Sequence, residues 1–208
     1  MPLIADIKKE ANFCIKVWKI EEEIDFFTQN ASFSLEEQTE FKNIKHKKRQ
    51  KEWLASRFVL KQINNRLFIE KDEYGNPHAK GAKGDISISH CTAFAAAGFS
   101  SANRIGIDIE PIHEKIHRIK HKFLNEEELL EIDADNETEH LIAHWCIKEA
   151  AYKWYGKKSL AFKENILISP FQVKNQQASV KLIGKKSVYH LDIVFRKIEN
   201  CIFAYTVH

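Results

Sequence analysis

Trp145-Cys146-Ile147-Lys148-Glu149-Ala150-Ala151-Tyr152-Lys153 is the stretch on which the reading of the fold turns. Its Trp, Glu and Lys stand four apart, so on a helix they share one face. The same spacing occurs at a constant offset of 92, as Trp53-x-x-x-Arg57-x-x-x-Lys61. Around Trp53, the apolar residues Leu54, Phe58, Val59, Leu60 and Ile63 fit a helix with one buried stripe. The second stretch lies in a helix expected over 137–155 and ended by Gly156. Each helix is followed by strand-like runs. The expected fold is therefore α+β, with two similar halves, 1–103 and 104–208, divided near 100–104 and sharing a cleft.

Outward from these helices the first half opens with a strand at 13–20, where Phe13, Ile15 and Val17 alternate. Lys71-Asp-Glu-Tyr-Gly75-Asn-Pro77 is a turn signal. Residues 86–89 alternate as a strand. The segments 93–99 and 104–110 flank Ser100-Ser-Ala-Asn, which reads as a hairpin loop. In the second half, Ile112, Ile116, Ile119 and Phe123 predict one amphipathic helix. Asn125-Glu-Glu-Glu supplies an N-cap and an acidic first turn for the next. Four strands close the chain, at 166–168, 179–183, 188–195 and 202–207.

Composition removes several classes. The chain has 208 residues, 44% hydrophobic and 29% charged, enough apolar material for a packed core. Its 7 Gly and 4 Pro argue against a fibrous or linker-rich chain. A net charge of +3 is mild for a nucleic-acid binder. The longest apolar run, near 93–99, falls far below the ~18 residues that span a bilayer, and the first residues show no secretory pattern. Cys14, Cys91, Cys146 and Cys201 are widely spaced, without C-x-x-C, which suits a reducing cytoplasm. Sequences for P-loop, Rossmann or hydrolase-elbow chemistry are absent.

The sharpest chemical feature is Ile105-Gly106-Ile107-Asp108-Ile109-Glu110. On a strand, Asp108 and Glu110 point the same way while Ile107 and Ile109 pack into the core. Two carboxylates on one face repel each other. Either a hard cation such as magnesium sits between them or the face is merely solvated. Glu149 and Lys153 are an ordinary i, i+4 pair taken alone, and a third ligand beside a phosphate-binding ammonium if Asp108 and Glu110 are near. Ser89-His90 ends a strand, where a His can hold an anion or be simply half-buried. The basic run Lys42, Lys45, His46, Lys47, Lys48, Arg49, Lys51 is either a solvated helix face or a docking patch for polyphosphate or acidic protein. His113, His117 and His121, and His140 and His144, have spacings that zinc uses, but no ligand pattern completes either set and Lys115, Arg118, Lys120 and Lys122 oppose a cation beside the first.

Taken in order, Glu73-Tyr-Gly75-Asn-Pro77, Ser87-Ile-Ser89-His90, Gly106-Ile-Asp108-Ile-Glu110, Phe123-Leu-Asn-Glu-Glu-Glu128 and Trp145 through Lys153 resemble the 4'-phosphopantetheinyl transferase superfamily, of the larger surfactin-synthetase-activating type. The resemblance spans 73–153 and extends upstream to the helix of Arg49 and Lys61; the chain beyond 153 matches only as strands. It implies a pseudo-dimer of two α+β halves, with coenzyme A and Mg2+ in the cleft between them. It implies transfer of the phosphopantetheine arm of coenzyme A to a serine of an apo acyl or peptidyl carrier protein. By the same resemblance Asp108, Glu110 and Glu149 ligate the metal, and Lys153 contacts the phosphates. Ser89 and His90 hold the 3'-phosphate side, and Arg49 and Arg57 fall where basic residues bind phosphate. Gly75 to Pro77 line the adenine pocket by backbone. Glu149 is the base that accepts the serine proton, with Glu128 or a water on the metal as alternatives. Cys146 departs from the small hydroxyl residue or Ala usual there. The carrier is expected to dock on basic or apolar surface, including Lys115, Arg118, Lys120 and residues 45–49. The expected protein is a cytoplasmic monomer with no nucleic-acid or membrane partner, serving fatty-acid or secondary-metabolite synthesis. A different class keeps the carboxylates structural and makes 42–51 a docking surface for nucleic acid or acidic protein.

Overall fold

The structure, a computed structural model, describes residues 2–9, 12–73, 75–157 and 160–207. The chain separates into two compact units, Met1–Ile105 and Gly106–His208.

The first unit begins with β1 (Leu3–Lys9) and β2 (Phe13–Lys19), followed by α1 (Ile24–Asn30), α2 (Leu35–Lys42) and α3 (Lys47–Ile63). It ends with β3 (Phe68–Lys71), β4 (Pro77–Lys80), β5 (Asp85–His90) and β6 (Phe94–Ser100). The main sheet has the order β1-β2-β6-β5 and is antiparallel throughout; β3 and β4 form a separate hairpin. The alternation of Phe13, Ile15 and Val17 buries one face of β2. The apolar stripe of α3 lies against it, and Phe58 meets Trp18, Phe26 and Phe27 edge-on with ring centroids 5.0, 5.5 and 5.5 Å away. Offset edges of this kind add to the area term of the core.

The second unit comprises β7 (Ile107–Pro111), a 3-10 turn (Glu114–Arg118), α4 (Lys120–Phe123), α5 (Glu126–Leu130) and α6 (Glu137–Tyr155). Then come α7 (Phe162–Asn165), β8 (Ile166–Ile168), β9 (Gln177–Ile183), β10 (Val188–Ile198) and β11 (Cys201–Val207). The sheet order is β7-β11-β10-β9-β8, again antiparallel. Its core joins Leu141, Ile142, Cys146, Ile147 and Ala150 of α6 to Val180, Leu182, Ile193, Phe195, Ile202 and Ala204 of the strands. Gly156 ends α6 in the left-handed conformation, φ 64°, with its N–H donating to the Tyr152 carbonyl at 3.1 Å.

Both units use one strand order: the strand before the helices pairs with the last strand, which pairs with the one before it. They also share a local device. Ser34 and Asn125 cap α2 and α5, each in a capping box with Glu37 or Glu128 three residues on. The second oxygen of each glutamate accepts a backbone N–H from the first strand after the long helix, Ile69 at 3.2 Å and Ile168 at 2.9 Å.

Two expectations change. The segment after β6 is not a hairpin loop, because β6 has β2 and β5 on its two edges while β7 pairs with β11. The single helix expected across 112–123 is a 3-10 turn plus the one-turn α4. Ile112 is still held extended, its N–H donating to the Asn200 carbonyl at 2.8 Å, which leaves too little chain for a longer helix. β1, α1 and α2 had no sequence expectation; α2 carries a local start signal in its Ser34–Glu37 capping box, while β1 and α1 are short and weakly periodic. No helix among the described residues is long and apolar enough to cross a membrane, and none of the four cysteines is in a disulfide.

Candidate active site

In the second unit the site is built where β7 passes beneath α6. Antiparallel pairing sets Asp108 opposite Ala204 and Glu110 opposite Ile202. Paired residues share a sheet face, and Ala204 and Ile202 belong to the core under α6. Both carboxylates therefore lie on the helix side. Ile107 and Ile109 are fully buried on the other face with Phe203 and Tyr205, whose rings stack with centroids 5.6 Å apart. The strand is thus buried on both sides, and its acidic face is the one under the helix.

Gly106 permits this approach. A Cβ there would lie 2.0 Å from the Ala150 carbonyl oxygen and 2.7 Å from the Trp154 nitrogen, both backbone atoms of α6. No side chain fits, so glycine at this position allows β7 to enter against the helix turn that carries Glu149 and Lys153. The Gly106 N–H donates to Thr206 Oγ1 at 3.0 Å and its carbonyl accepts from the Thr206 N–H at 3.0 Å, fixing the entry of the strand.

Lys153 Nζ donates to Asp108 Oδ1 at 2.7 Å, with Asp108 almost wholly buried. The Glu149–Lys153 spacing therefore does more than make a surface pair, because the ammonium reaches across to the strand. Burial alone would lower the Lys153 pKa, but the charge of Asp108, its hydrogen bond, and the charges of Glu149 and Glu110 hold it above the usual lysine value. Burial, then the charge of Asp108, pushes Glu149 up to about 7, while Lys153 pulls it back. A carboxylate poised there takes up and gives up a proton near neutrality. Below it, burial and the charges of Asp108 and Glu110 drive the Cys146 thiol well up, and its Sγ donates to the Ile202 carbonyl at 3.4 Å. That thiol is inert.

Half-buried aromatics flank Glu149 along α6. Trp145 meets Phe123 and Phe162 at centroid distances of 5.2 and 5.5 Å, and Tyr152 meets Phe162 at 5.5 Å. Phe162, from α7, had no sequence signal. Its contact arises only because the chain after α6 folds back over the helix.

Glu128, an alternative base by the resemblance, is held by contacts of its own. It is buried, one oxygen accepts from Asn125 N–H and Lys148 Nζ, and the other accepts from Ile168 N–H. Both of its oxygens are thus occupied by contacts inside the core.

The remaining sequence candidates sit in the first unit. Ser89 is buried near the end of β5, and His90, exposed, is 3.8 Å from Glu52, a partner the sequence did not suggest. Arg49 is exposed and lines a cavity of about 410 Å³ with Glu40, Lys45, His46 and Trp53. Arg57 is 3% exposed. Its guanidinium lies 3.5 Å from the Trp53 ring centroid, 3.3 Å from Glu40 and 3.8 Å from Glu37. Burial lowers its pKa to about 10 against the opposing pull of Glu40 and Glu37. In this structure the guanidinium is engaged by two carboxylates and a ring. Gly75 takes φ +84° in the turn before Pro77, where Asp72 accepts the Gly75 and Asn76 N–H groups at 2.9 and 2.8 Å.

Residues 104–204 match the family model of the 4'-phosphopantetheinyl transferase superfamily. Among curated proteins no match to this chain is found. The superfamily match supports a phosphopantetheine-transfer function in general, and relatives of this kind take coenzyme A as co-substrate and act on carrier proteins. The matched segment holds Asp108, Glu110, Glu128, Glu149 and Lys153; Arg49, Arg57, Gly75, Pro77, Ser89 and His90 lie outside it. Transferases of this superfamily typically use a divalent metal. Among the described residues no group of three or more His, Cys, Asp or Glu side chains is gathered closely enough to hold one. The donor chemistry nonetheless fits a hard cation: the acids on β7 and α6 are all oxygen ligands, and after burial it is the charge of Asp108 that raises Glu149, a repulsion such an ion would relieve.

The histidine pairs are structural. His140 Nδ1 accepts the Asp133 N–H at 3.0 Å, His144 bonds the His140 carbonyl at 3.0 Å, and both rings stand 4.7 Å from Phe171. His117 is shared among Thr138, Glu114 and Glu137.

Proposed function

We propose that the protein is a surfactin-synthetase-activating-type, holo-[acyl-carrier-protein] synthase. It transfers the 4'-phosphopantetheine arm of coenzyme A to a serine of an apo acyl or peptidyl carrier protein and releases adenosine 3',5'-bisphosphate. The observation that carries this reading is the Asp108–Lys153 contact beside a Glu149 held near 7, inside the segment that matches the superfamily.

In this reading Asp108, Glu110 and Glu149 hold Mg2+, which when bound neutralises pyrophosphate charge and the charge that builds as the bond to the leaving phosphate breaks. Lys153 adds a permanent positive charge on the same side, kept protonated by Asp108. Glu149 accepts the proton of the carrier serine as its oxygen attacks phosphorus. Cys146 takes no part. In the first unit Ser89 and His90 bind the 3'-phosphate side, and the backbone of Gly75 to Pro77 meets the adenine. The phosphate contact there is assigned to the exposed Arg49, because Arg57 would have to leave Glu37 and Glu40. The pseudo-dimer belongs to the same proposal and is supported by the shared strand order and paired capping boxes. We place the protein as a monomer in the cytoplasm, where cysteines outside disulfides persist.

The test is a mass-shift assay. Apo carrier proteins are mixed with coenzyme A, magnesium and the protein, and the added phosphopantetheine mass is sought. No modified carrier across fatty-acid, polyketide, peptide and lysine-pathway carriers would sink the proposal. A steep loss of nucleic-acid affinity with salt and indifference to coenzyme A would instead favour the basic-surface reading.

A further inference from the structure

Glu128 and Lys148 have no part in the proposed chemistry, yet they form an enclosed charged network. Lys148 has no exposed surface. Its Nζ donates to Glu128 Oε2 at 2.8 Å, the Phe162 carbonyl at 3.1 Å and the Ile166 carbonyl at 2.5 Å. An ammonium has three N–H groups, and all three are used. Glu128 Oε2 also accepts the Asn125 N–H at 3.0 Å, and Oε1 accepts the Ile168 N–H at 2.9 Å. Two side chains thus tie the start of α5, the middle of α6, α7 and β8 to one point.

The network has a consequence for the next residue. Successive side chains on a helix point ~100° apart, and residues four apart share a face. Once Lys148 is fixed in its ring of oxygens, the direction of Glu149, and with it Lys153, is fixed. The first unit supplies a contrast. Glu37 repeats the capping box and the strand contact, but the position equivalent to Lys148 is Ser56, whose hydroxyl donates to its own helix at the Trp53 carbonyl, 2.9 Å. The helix with no acid to aim lacks the lock.

We infer that Glu128 and Lys148 are positioning residues, which set the rotation and register of α6 and so determine where Glu149 and Lys153 project. This rests on the reading of Glu149 and Lys153 as the groups that act on substrate. A displacement of ~1 Å at a reacting group can cost ~100-fold in rate.

The test uses the full chain carrying K148M together with E128Q, which removes both charges and so leaves neither buried alone, and K148R, which keeps the charge but replaces a compact ammonium by a planar fork. Two readouts are taken well below each variant's melting temperature. One is turnover on apo carrier with coenzyme A and magnesium; the other is native-state hydrogen exchange of the amides of 149–155. The expected result is a kcat about 10- to 100-fold lower per folded molecule, with KM for coenzyme A raised by less than kcat falls. Exchange should be faster by about tenfold or more on 149–155, with α3 unchanged. If the double variant does not fold, K148R decides by the same numbers. Unchanged kcat per folded molecule, or exchange that rises uniformly or not at all, overturns the inference. If the unaltered protein modifies no carrier, the functional reading has failed. The exchange pattern then decides alone, with a loss confined to 149–155 upholding the lock and any other pattern refuting it.

Discussion

The two units share a strand order and a capping-box glutamate, and then treat the middle of their long helix in opposite ways. In the first, Arg57 is sealed between Glu37, Glu40 and the Trp53 ring. In the second, the position at the same offset is Glu149, half-buried, facing like charge from Asp108 and answered by Lys153. One helix satisfies its central charge and the other leaves its carboxylate near 7. The difference teaches that a repeated framework does not repeat its electrostatics: one residue of opposite sign leaves one helix with its charge answered and the other with a carboxylate pushed up to about 7.

The largest test of this contrast is on the second helix. Asp108→Ala and Glu149→Ala are each expected to lower magnesium-dependent carrier modification by at least about 100-fold while thermal melts show a folded protein. Glu149→Gln should be nearly as damaging, since the amide keeps the shape and loses charge and basicity. If both alanine variants retain near-normal activity, the acid site is misassigned and the contrast collapses.

Arg57→Ala should do the reverse. It leaves Glu37 buried without its cation, with an expected cost of about 3–5 kcal/mol in urea unfolding. Coenzyme A binding at temperatures where the variant is folded should stay near normal. A loss of coenzyme A affinity without a loss of stability would make Arg57 a phosphate ligand after all.

Acid should distinguish the units as well. Burial holds His144 down at about 3, against 6.5 unfolded. Between those values the unfolded chain binds the proton and the folded one does not, so stability is full above about 6.5 and falls as pH drops towards 3. The loss attributable to this ring is at most about 5 kcal/mol. Denaturant unfolding followed from pH 7 to 3 should show that slope, and His144→Leu should flatten it. An equal slope in the variant would assign acid sensitivity elsewhere.

Gly106→Ala tests how the strand meets the helix. The clash with Ala150 and Trp154 is with backbone, so neighbours cannot turn aside. A destabilisation of about 1–3 kcal/mol is expected, with turnover lost beyond what the melting shift explains. The smallest effect is expected at the periphery. Reversing Lys115 or Arg118 should raise the carrier KM several-fold through slower encounter and leave coenzyme A binding intact. An unchanged KM for both would remove that surface from the docking site.

Sequence alone determined the elements whose periodicity is strong: the stripe of α3, α6 with its glycine cap, β2, β5 and the closing strands. It also singled out Asp108, Glu110, Glu149 and Lys153, because alternation on a strand and four-residue spacing on a helix place side chains by local geometry alone. Tertiary structure decided everything that depends on partners distant in the chain. That Ser100 to Asn103 leads from one sheet to another is set by which strand edges were already paired. That Arg57 is sealed depends on Glu37 and Glu40 from α2. That Glu128 ties α5 to α6 and β8 depends on Lys148 and Ile168, 20 and 40 residues away. Which face of β7 carries the acids is written in its alternation, but that this face lies under α6 follows from Gly106 and Thr206, at opposite ends of the unit. Spacing fixes direction along one element; only packing fixes what that direction meets.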